Sequence, residues 1–299
     1  MTPTETKATP AESWLPDGWR TYDDLHGRKN TVTGTVLVWP KLASKELDRS
    51  AEITVYVPPS LAKSLKAGTK TARRYPVFYF HDGQNVFDDV ASHAGEWRAD
   101  ETLQALARDG IEAIAVGIPN GSLARFDEYN PYRSRTPYTG RRIVGGKANE
   151  YLDWLVGDIK PMIDKTFPTD PARDATGTIG SSLGGLISLY AMVRHPDVFG
   201  MIGAMSSAIR WQRYAILKEI RAMNGERPRI HVDMGGREWK GGLDDARRLR
   251  DTLIECGWRD DHDLNYVEER YAIHREDAWA RRLPDALRFL LGEDRVAAS

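Results

Sequence analysis

Four short runs of mainly apolar residues constrain the fold of this chain most: Pro76-Val-Phe-Tyr-Phe80, Ile111-Glu-Ala-Ile-Ala-Val116, Met201-Ile-Gly-Ala-Met205 and Arg229-Ile-His-Val-Asp233. A strand with one face in water alternates apolar and polar residues, whereas a continuous run marks a strand covered on both faces. Helical patterns lie between and after these runs. Tyr151 to Phe167 places Tyr151, Leu152, Leu155, Ile159, Met162 and Ile163 at helical spacing despite Pro161, and Leu243 to Cys256 and Trp279 to Leu291 repeat the pattern. Strands alternating with helices of this length predict βαβ units, a parallel sheet and an α/β fold. Thr31 to Trp39 and Glu52 to Val57 alternate instead, as half-buried antiparallel strands do, and Pro58-Pro59 ends the second. Leu61 to Arg74 is basic and poor in apolar residues, and reads as a surface excursion.

Composition narrows the function. With 42 basic and 43 acidic residues the net charge is −1, so no global field favours nucleic acid or an anionic membrane as a partner. Cys256 is the one cysteine, which excludes an internal disulfide and a multi-cysteine zinc site. The polar N-terminus carries no signal-peptide core, and no apolar run approaches the roughly 20 residues of a membrane span. The expectation is a cytoplasmic protein with a Thr-, Pro- and Glu-rich disordered tail over residues 1–12. Without repeats or a dividing linker, residues 13–299 read as one domain, with the antiparallel opening strands at the edge of its sheet.

Gly180-Ser181-Ser182-Leu183-Gly184 brings chemistry to this frame. It follows Asp174-Ala-Thr-Gly-Thr-Ile179, a run with strand character, and precedes the apolar helix pattern Gly185 to Val193. Strand, sharp turn and helix are what a nucleophile elbow needs, with glycines where neighbouring backbone approaches. Ser182 is the candidate nucleophile. Ser181 lacks glycine at both minus two and plus two, and the alternative is a tight turn whose glycines serve packing alone.

A serine hydroxyl needs a positioned base and an acid to hold that base, in chain order serine, acid, histidine for this fold type. Of seven histidines, His231 sits in a strand, His262 in a polar turn, His195 at a helix end, and His26 and His93 in polar segments before the elbow. His274 follows a strand-like run and precedes the last helix, where the base should come. For the acid, Asp233, Glu238, Asp244 and Asp245 compete; Asp244 and Asp245 read as first-turn helix residues, and Glu238 is preferred to Asp233. Oxyanion donors are expected from the N–H of Leu183 and, in the loop His81-Asp-Gly-Gln-Asn-Val-Phe-Asp88, from the N–H of Gln84. His81 and Asp82 read as braces of that loop, and no metal site is expected there.

Together these motifs resemble the esterase D, or enterochelin-esterase-like, family of α/β-hydrolases, which includes feruloyl and acetylxylan esterases. The resemblance runs from about Val55 to Leu291. It rests on Asp82-Gly-Gln-Asn-Val-Phe-Asp88, on Gly117-Ile-Pro-Asn120 followed by Arg125, Glu128, Tyr129 and Pro131, and on Gly180-Ser-Ser-Leu-Gly-Gly185. Asp233-Met-Gly-Gly-Arg-Glu238 and His274-Arg-Glu-Asp-Ala-Trp279 complete it. The resemblance implies an α/β-hydrolase fold, no cofactor, and a small-molecule ester as partner. Its implied site is Ser182, His274 and Glu238, with Arg125, Tyr129, Arg210 and Trp211 at the substrate. Relatives often carry Ser-Pro-x-Phe-Trp-Trp where this chain has Ser206-Ser-Ala-Ile-Arg-Trp211, so Arg210 replaces an aromatic residue. Some relatives work with a Ser–His pair alone. Tyr129 to Gly146, with Tyr132, Arg133, Arg135, Tyr138, Arg141 and Arg142, reads either as an aromatic and cationic lid or as a solvated loop. Trp97 reads as core. The expected activity is serine carboxylester hydrolysis of a siderophore, a feruloyl or acetyl ester, or a small ester. A non-catalytic ligand-binding protein of the same fold, an acyltransferase and a thioesterase are the rivals.

Overall fold

In the computed structural model, which describes residues 14–92, 94–135, 140 and 142–292, the apolar runs become neighbours in a nine-stranded sheet. The strands are β1 (Arg20–Thr21), β2 (Thr35–Ser44), β3 (Arg49–Val57), β4 (Val77–His81), β5 (Ile114–Ile118), β6 (Ser134–Arg135), β7 (Ile143–Val144), β8 (Thr176–Ser181), β9 (Met201–Met205), β10 (Arg229–Gly235) and β11 (Leu264–Glu269). The sheet order is β1-β2-β3-β5-β4-β8-β9-β10-β11, and β6 pairs with β7 as a separate ribbon. The pairings from β1 to β5 across β2 and β3 are antiparallel, and all those from β5 to β11 are parallel.

Among the described residues ten α-helices accompany it: α1 (Tyr22–His26), α2 (Pro59–Lys66), α3 (Ala99–Arg108), α4 (Arg125–Glu128), α5 (Ala148–Trp154), α6 (Lys160–Thr166), α7 (Leu183–Arg194), α8 (Ala215–Ala222), α9 (Gly242–Glu255) and α10 (Glu276–Leu291). Strand β4 shows why its apolar run is continuous. Val77 and Tyr79 join the layer built with Leu152, Leu186, Ile216 and Leu249 of α5, α7, α8 and α9. Phe78 and Phe80 join the opposite layer, with Leu103 of α3 and Leu283 and Leu287 of α10. Successive side chains point to opposite faces, and each one buried contributes about 1.5–3 kcal/mol.

Three details depart from the sequence reading. The stretch from Leu61 opens with a helix, α2, started by Pro59 in its first turn and anchored by buried Leu61 and Ala62. The Tyr151–Phe167 helix is divided by a wide π turn at Leu155–Ile159, placed just before Pro161, which lacks the N–H that a regular turn would use. Strand β2 starts at Thr35 and continues past Pro40, with its register against β3 shifting between Trp39 and Leu42. Among the described residues, no helix is long and apolar enough to cross a membrane. The tail over residues 1–12, His93, Tyr138 and Arg141 lie outside the described residues.

Candidate active site

Strand β8 ends at Ser181 and α7 begins at Leu183, so Ser182 alone makes the turn, at φ 59° and ψ −116°. That conformation costs a non-glycine residue about 1–3 kcal/mol and persists only where the surroundings impose it. Here the Ser182 N–H donates to the Met205 carbonyl at 3.0 Å, and its carbonyl accepts from Ala208 N at 3.0 Å. The two glycines of the pattern are not equivalent. A Cβ on Gly180 would lie 2.8 Å from the Gly184 backbone, while one on Gly184 would meet nothing closer than Asp82 Oδ2 at 3.4 Å. Gly180→Ala is therefore expected to lower Tm by roughly 2–5 °C, as overpacking of about 1–3 kcal/mol does in a chain of this size, and Gly184→Ala by much less. Equal melting temperatures for the two variants would refute this account of the turn.

The candidate base, His274, lies on the loop between β11 and α10. His274 Nδ1 lies 2.7 Å from Glu238 Oε2, whose side chain is fully buried. A carboxylate only accepts, so Nδ1 carries the proton and Nε2 is the nitrogen left for the substrate side. Trp239 and Trp279 stand edge-on to the imidazole, with ring centroids 5.0 and 4.9 Å away. Glu238 is held in turn by Ser206 Oγ at 2.6 Å and Gly235 N at 2.7 Å. Asp233, the competing acid, does not reach His274. It accepts from Ser206 N, from His231 Nε2 at 3.1 Å and from Arg282 Nε at 3.0 Å. Arg282, nearly buried on α10, also donates to Ser206 Oγ at 3.0 Å and to Glu269 Oε2 at 3.2 Å, and lies 3.5 Å from Glu238 Oε1. Sequence reasoning missed Ser206, Arg282 and Trp239. The only signal for the first two was position: Ser206 heads the motif after β9, and Arg282 falls three residues after Trp279 on the same helix.

The expected oxyanion loop follows β4. Asp82 takes a left-handed conformation, φ 57° and ψ 45°, and starts the short turn Gly83–Asn85 that carries Gln84. Gly83 packs against the Gly117 and Ile118 backbone, leaving no room for a Cβ. Burial alone would raise the Asp82 carboxyl, but the Arg125 guanidinium, bound through two bonds of 2.7 and 2.8 Å, and the Asn120 amide at 2.6 Å hold it below the usual range. Asn120 N donates to Gln84 Oε1 at 3.2 Å. His81 is sealed between Tyr151 Oη and Thr178 Oγ1, each at 2.8 Å, and burial pushes it down to about 3, so its ring is neutral at working pH. Both His81 and Asp82 brace the loop.

Two clefts meet at the elbow, and Ser182, His274 and Arg125 line both. The smaller, about 520 Å³, also takes in Gln84, Asn120, Trp97 and Glu276, whose carboxyl burial pushes up. The larger, about 890 Å³, takes in Leu183, Arg135, Arg210, Trp211, Trp239 and Lys240. Tyr129, expected at the substrate, is instead fully buried; its ring underlies the Arg125 guanidinium and its hydroxyl accepts from Asp82 N at 3.0 Å. Arg125 reaches the clefts while tied to Asp82. Arg210 is half-exposed at the larger cleft, paired with buried Asp245 and bonded to the Lys240 carbonyl at 3.0 Å. Trp97 is 3% exposed, packed on Phe80 and Trp279 as core, yet it also lines the smaller cleft. Among the described residues, the one group of His, Cys, Asp or Glu side chains able to hold a metal ion is Glu96, Asp100 and Glu101, which does not include the elbow residues.

Comparison with known proteins gives the family and the fold. The curated "Uncharacterized protein YbbA" of Bacillus subtilis is 25% identical over 81% of this chain and 93% of its own length. The "Siderophore triacetylfusarinine C esterase" of Aspergillus fumigatus is 32% identical, matched over 49% of each chain, so that likeness spans about half of either protein. Among solved structures, an IroE-like serine hydrolase from Shewanella oneidensis superposes with a TM-score of 0.64 at 19% identity, over 83% of this chain and 78% of that one, and shares the α/β-hydrolase fold. The family model "Putative esterase" matches residues 44–290, and the chain belongs to that esterase family.

Proposed function

We propose that Ser182, His274 and Glu238 form the catalytic triad of a serine carboxylester hydrolase. The observation that supports it most is the 2.7 Å pairing of His274 with buried Glu238 on a cleft shared with the strained Ser182. Ser182 Oγ attacks the ester carbonyl carbon as its proton passes to His274 Nε2. Glu238 keeps Nδ1 protonated and stabilises the imidazolium. The N–H groups of Leu183, an unsatisfied donor at the start of α7, and of Gln84 receive the oxyanion. The leaving alcohol takes the proton from His274, and water, activated by the same imidazole, releases the acid. Arg135, Arg210 and Lys240 give the larger cleft a cationic rim, and Trp211 and Trp239 give it apolar walls. We read it as the site of a bulky, polar or anionic ester group, a description that the siderophore ester named for the Aspergillus relative meets.

A fluorophosphonate probe tests the assignment directly. One adduct per chain, mapped to Ser182 by mass spectrometry and absent from His274→Ala, is expected; labelling elsewhere, or none, would favour a ligand-binding protein. Glu238→Gln should lower kcat about 10⁴-fold by imposing the wrong tautomer on His274, while Asp233→Asn, which reaches the base only through Ser206 and Glu238, should cost far less. The reverse order would identify Asp233 as the acid.

A further inference from the structure

At the start of α3, three carboxylates converge, and among the described residues none of them forms an ion pair, although Arg98 lies near enough to act on Glu96. Glu96, Asp100 and Glu101 each bring an oxygen within 4.8 Å of the other two. Asp100 is fully buried, and Glu96 is 7% exposed. One oxygen of each residue, Glu96 Oε1, Asp100 Oδ1 and Glu101 Oε2, is sealed from solvent and accepts no hydrogen bond from the described residues. The second oxygens of the first two are occupied: Glu96 Oε2 accepts from Thr31 Oγ1 at 3.2 Å and Asp100 Oδ2 from Thr33 N at 2.5 Å. A helix dipole accounts for acids in a first turn that remain in solvent. It provides no partner for side-chain oxygens buried against each other, and buried polar atoms are as a rule satisfied.

We propose that Glu96, Asp100 and Glu101 bind a hard divalent cation, calcium by the character of its donors. All three donors are carboxylate oxygens, which calcium accepts in flexible mono- or bidentate geometry. Magnesium holds several waters in a strict octahedron, which suits sealed oxygens less, and zinc favours nitrogen and sulfur. The ion would join the loop after β4, through Glu96, to the first turn of α3. Through Thr31 and Thr33 it would also reach the segment that precedes β2. Trp97, which lines the smaller cleft, follows Glu96 directly, so the bound ion braces one wall of the active site.

The test needs no substrate, so its failure leaves the esterase reading untouched. The full chain is stripped with EDTA, desalted, reloaded and passed through gel filtration, and metal is counted by mass spectrometry. Melting is then followed at about pH 8 in EDTA, in about 1 mM calcium and in about 1 mM magnesium. About one calcium ion per chain and a Tm about 5 °C or more above the EDTA sample are expected, with a smaller shift in magnesium. Asp100→Asn should lose both the bound ion and the shift. Should that variant fail to fold, Glu101→Gln, at the less buried member, gives the same readout. No retained calcium, identical melting with and without it, a response to magnesium alone, or a full calcium response in the folded variants would each overturn the proposal. In the first two cases a proton shared between Asp100 and Glu101 takes its place.

Discussion

Ser182→Ala is expected to lower kcat for p-nitrophenyl butyrate roughly 10⁶-fold, a loss of about 8 kcal/mol of transition-state stabilisation, because nucleophile and base act as a unit. The same substitution should barely change Tm. Alanine retains a Cβ at φ 59° and ψ −116°, so the strain of the turn remains. Ser182→Gly separates strain from chemistry. It should be as inactive as the alanine variant but more stable by about 1 kcal/mol, the strain released less the extra unfolded-state entropy of glycine. Circular dichroism and thermal melting of the three proteins, beside the ester assay, check both halves. An alanine variant that keeps more than about a hundredth of wild-type turnover would remove Ser182 from the mechanism. A glycine variant melting below the alanine variant would remove the strain argument while leaving the chemistry in place.

How much of this could be read from the sequence depended on the range of the interactions involved. The parallel strands were legible because burial on both faces leaves a continuous run, as in Val77–His81. The elbow was legible because a close approach of backbone leaves room only for glycine, as at Gly180. Helix α2 was hidden: only Leu61 and Ala62 are buried, and the lysines around them set the local composition. The acid stayed ambiguous because Asp233 and Glu238 leave the same strand five residues apart. A local contact separates them in space, since the turn after Gly235 brings Glu238 Oε1 onto the Gly235 N–H at 2.7 Å and Oε2 to His274. Asp233 remains in the strand and is claimed by Arg282, 49 residues away. Tyr129 was misread for a similar reason. The family resemblance implied a substrate contact there, but its hydroxyl accepts from Asp82 N in the interior. The network behind Glu238, Ser206 with Arg282 and Trp279, is assembled from the end of β9 and α10 over more than 70 residues of separation and leaves no local pattern.

Arg282→Met is expected to be the most destabilising single change at the site. The guanidinium touches Asp233, Glu269 and Ser206 and lies beside Glu238, and the side chains of Asp233 and Glu238 are fully buried. Removing one partner of a buried ionic group costs about 3–5 kcal/mol, because the remaining charges keep their desolvation cost without the attraction that offset it. For a chain of this size that corresponds to a fall in Tm of roughly 5–8 °C. Arg282→Lys keeps a charge but cannot span three acceptors from a single ammonium, and should fall between the two. Melting curves of the three proteins decide the matter. If Arg282→Met melts within 2 °C or so of wild type, the guanidinium is not what holds the two buried acids in place. Glu238 would then owe its position under His274 to Ser206 and the Gly235 turn alone.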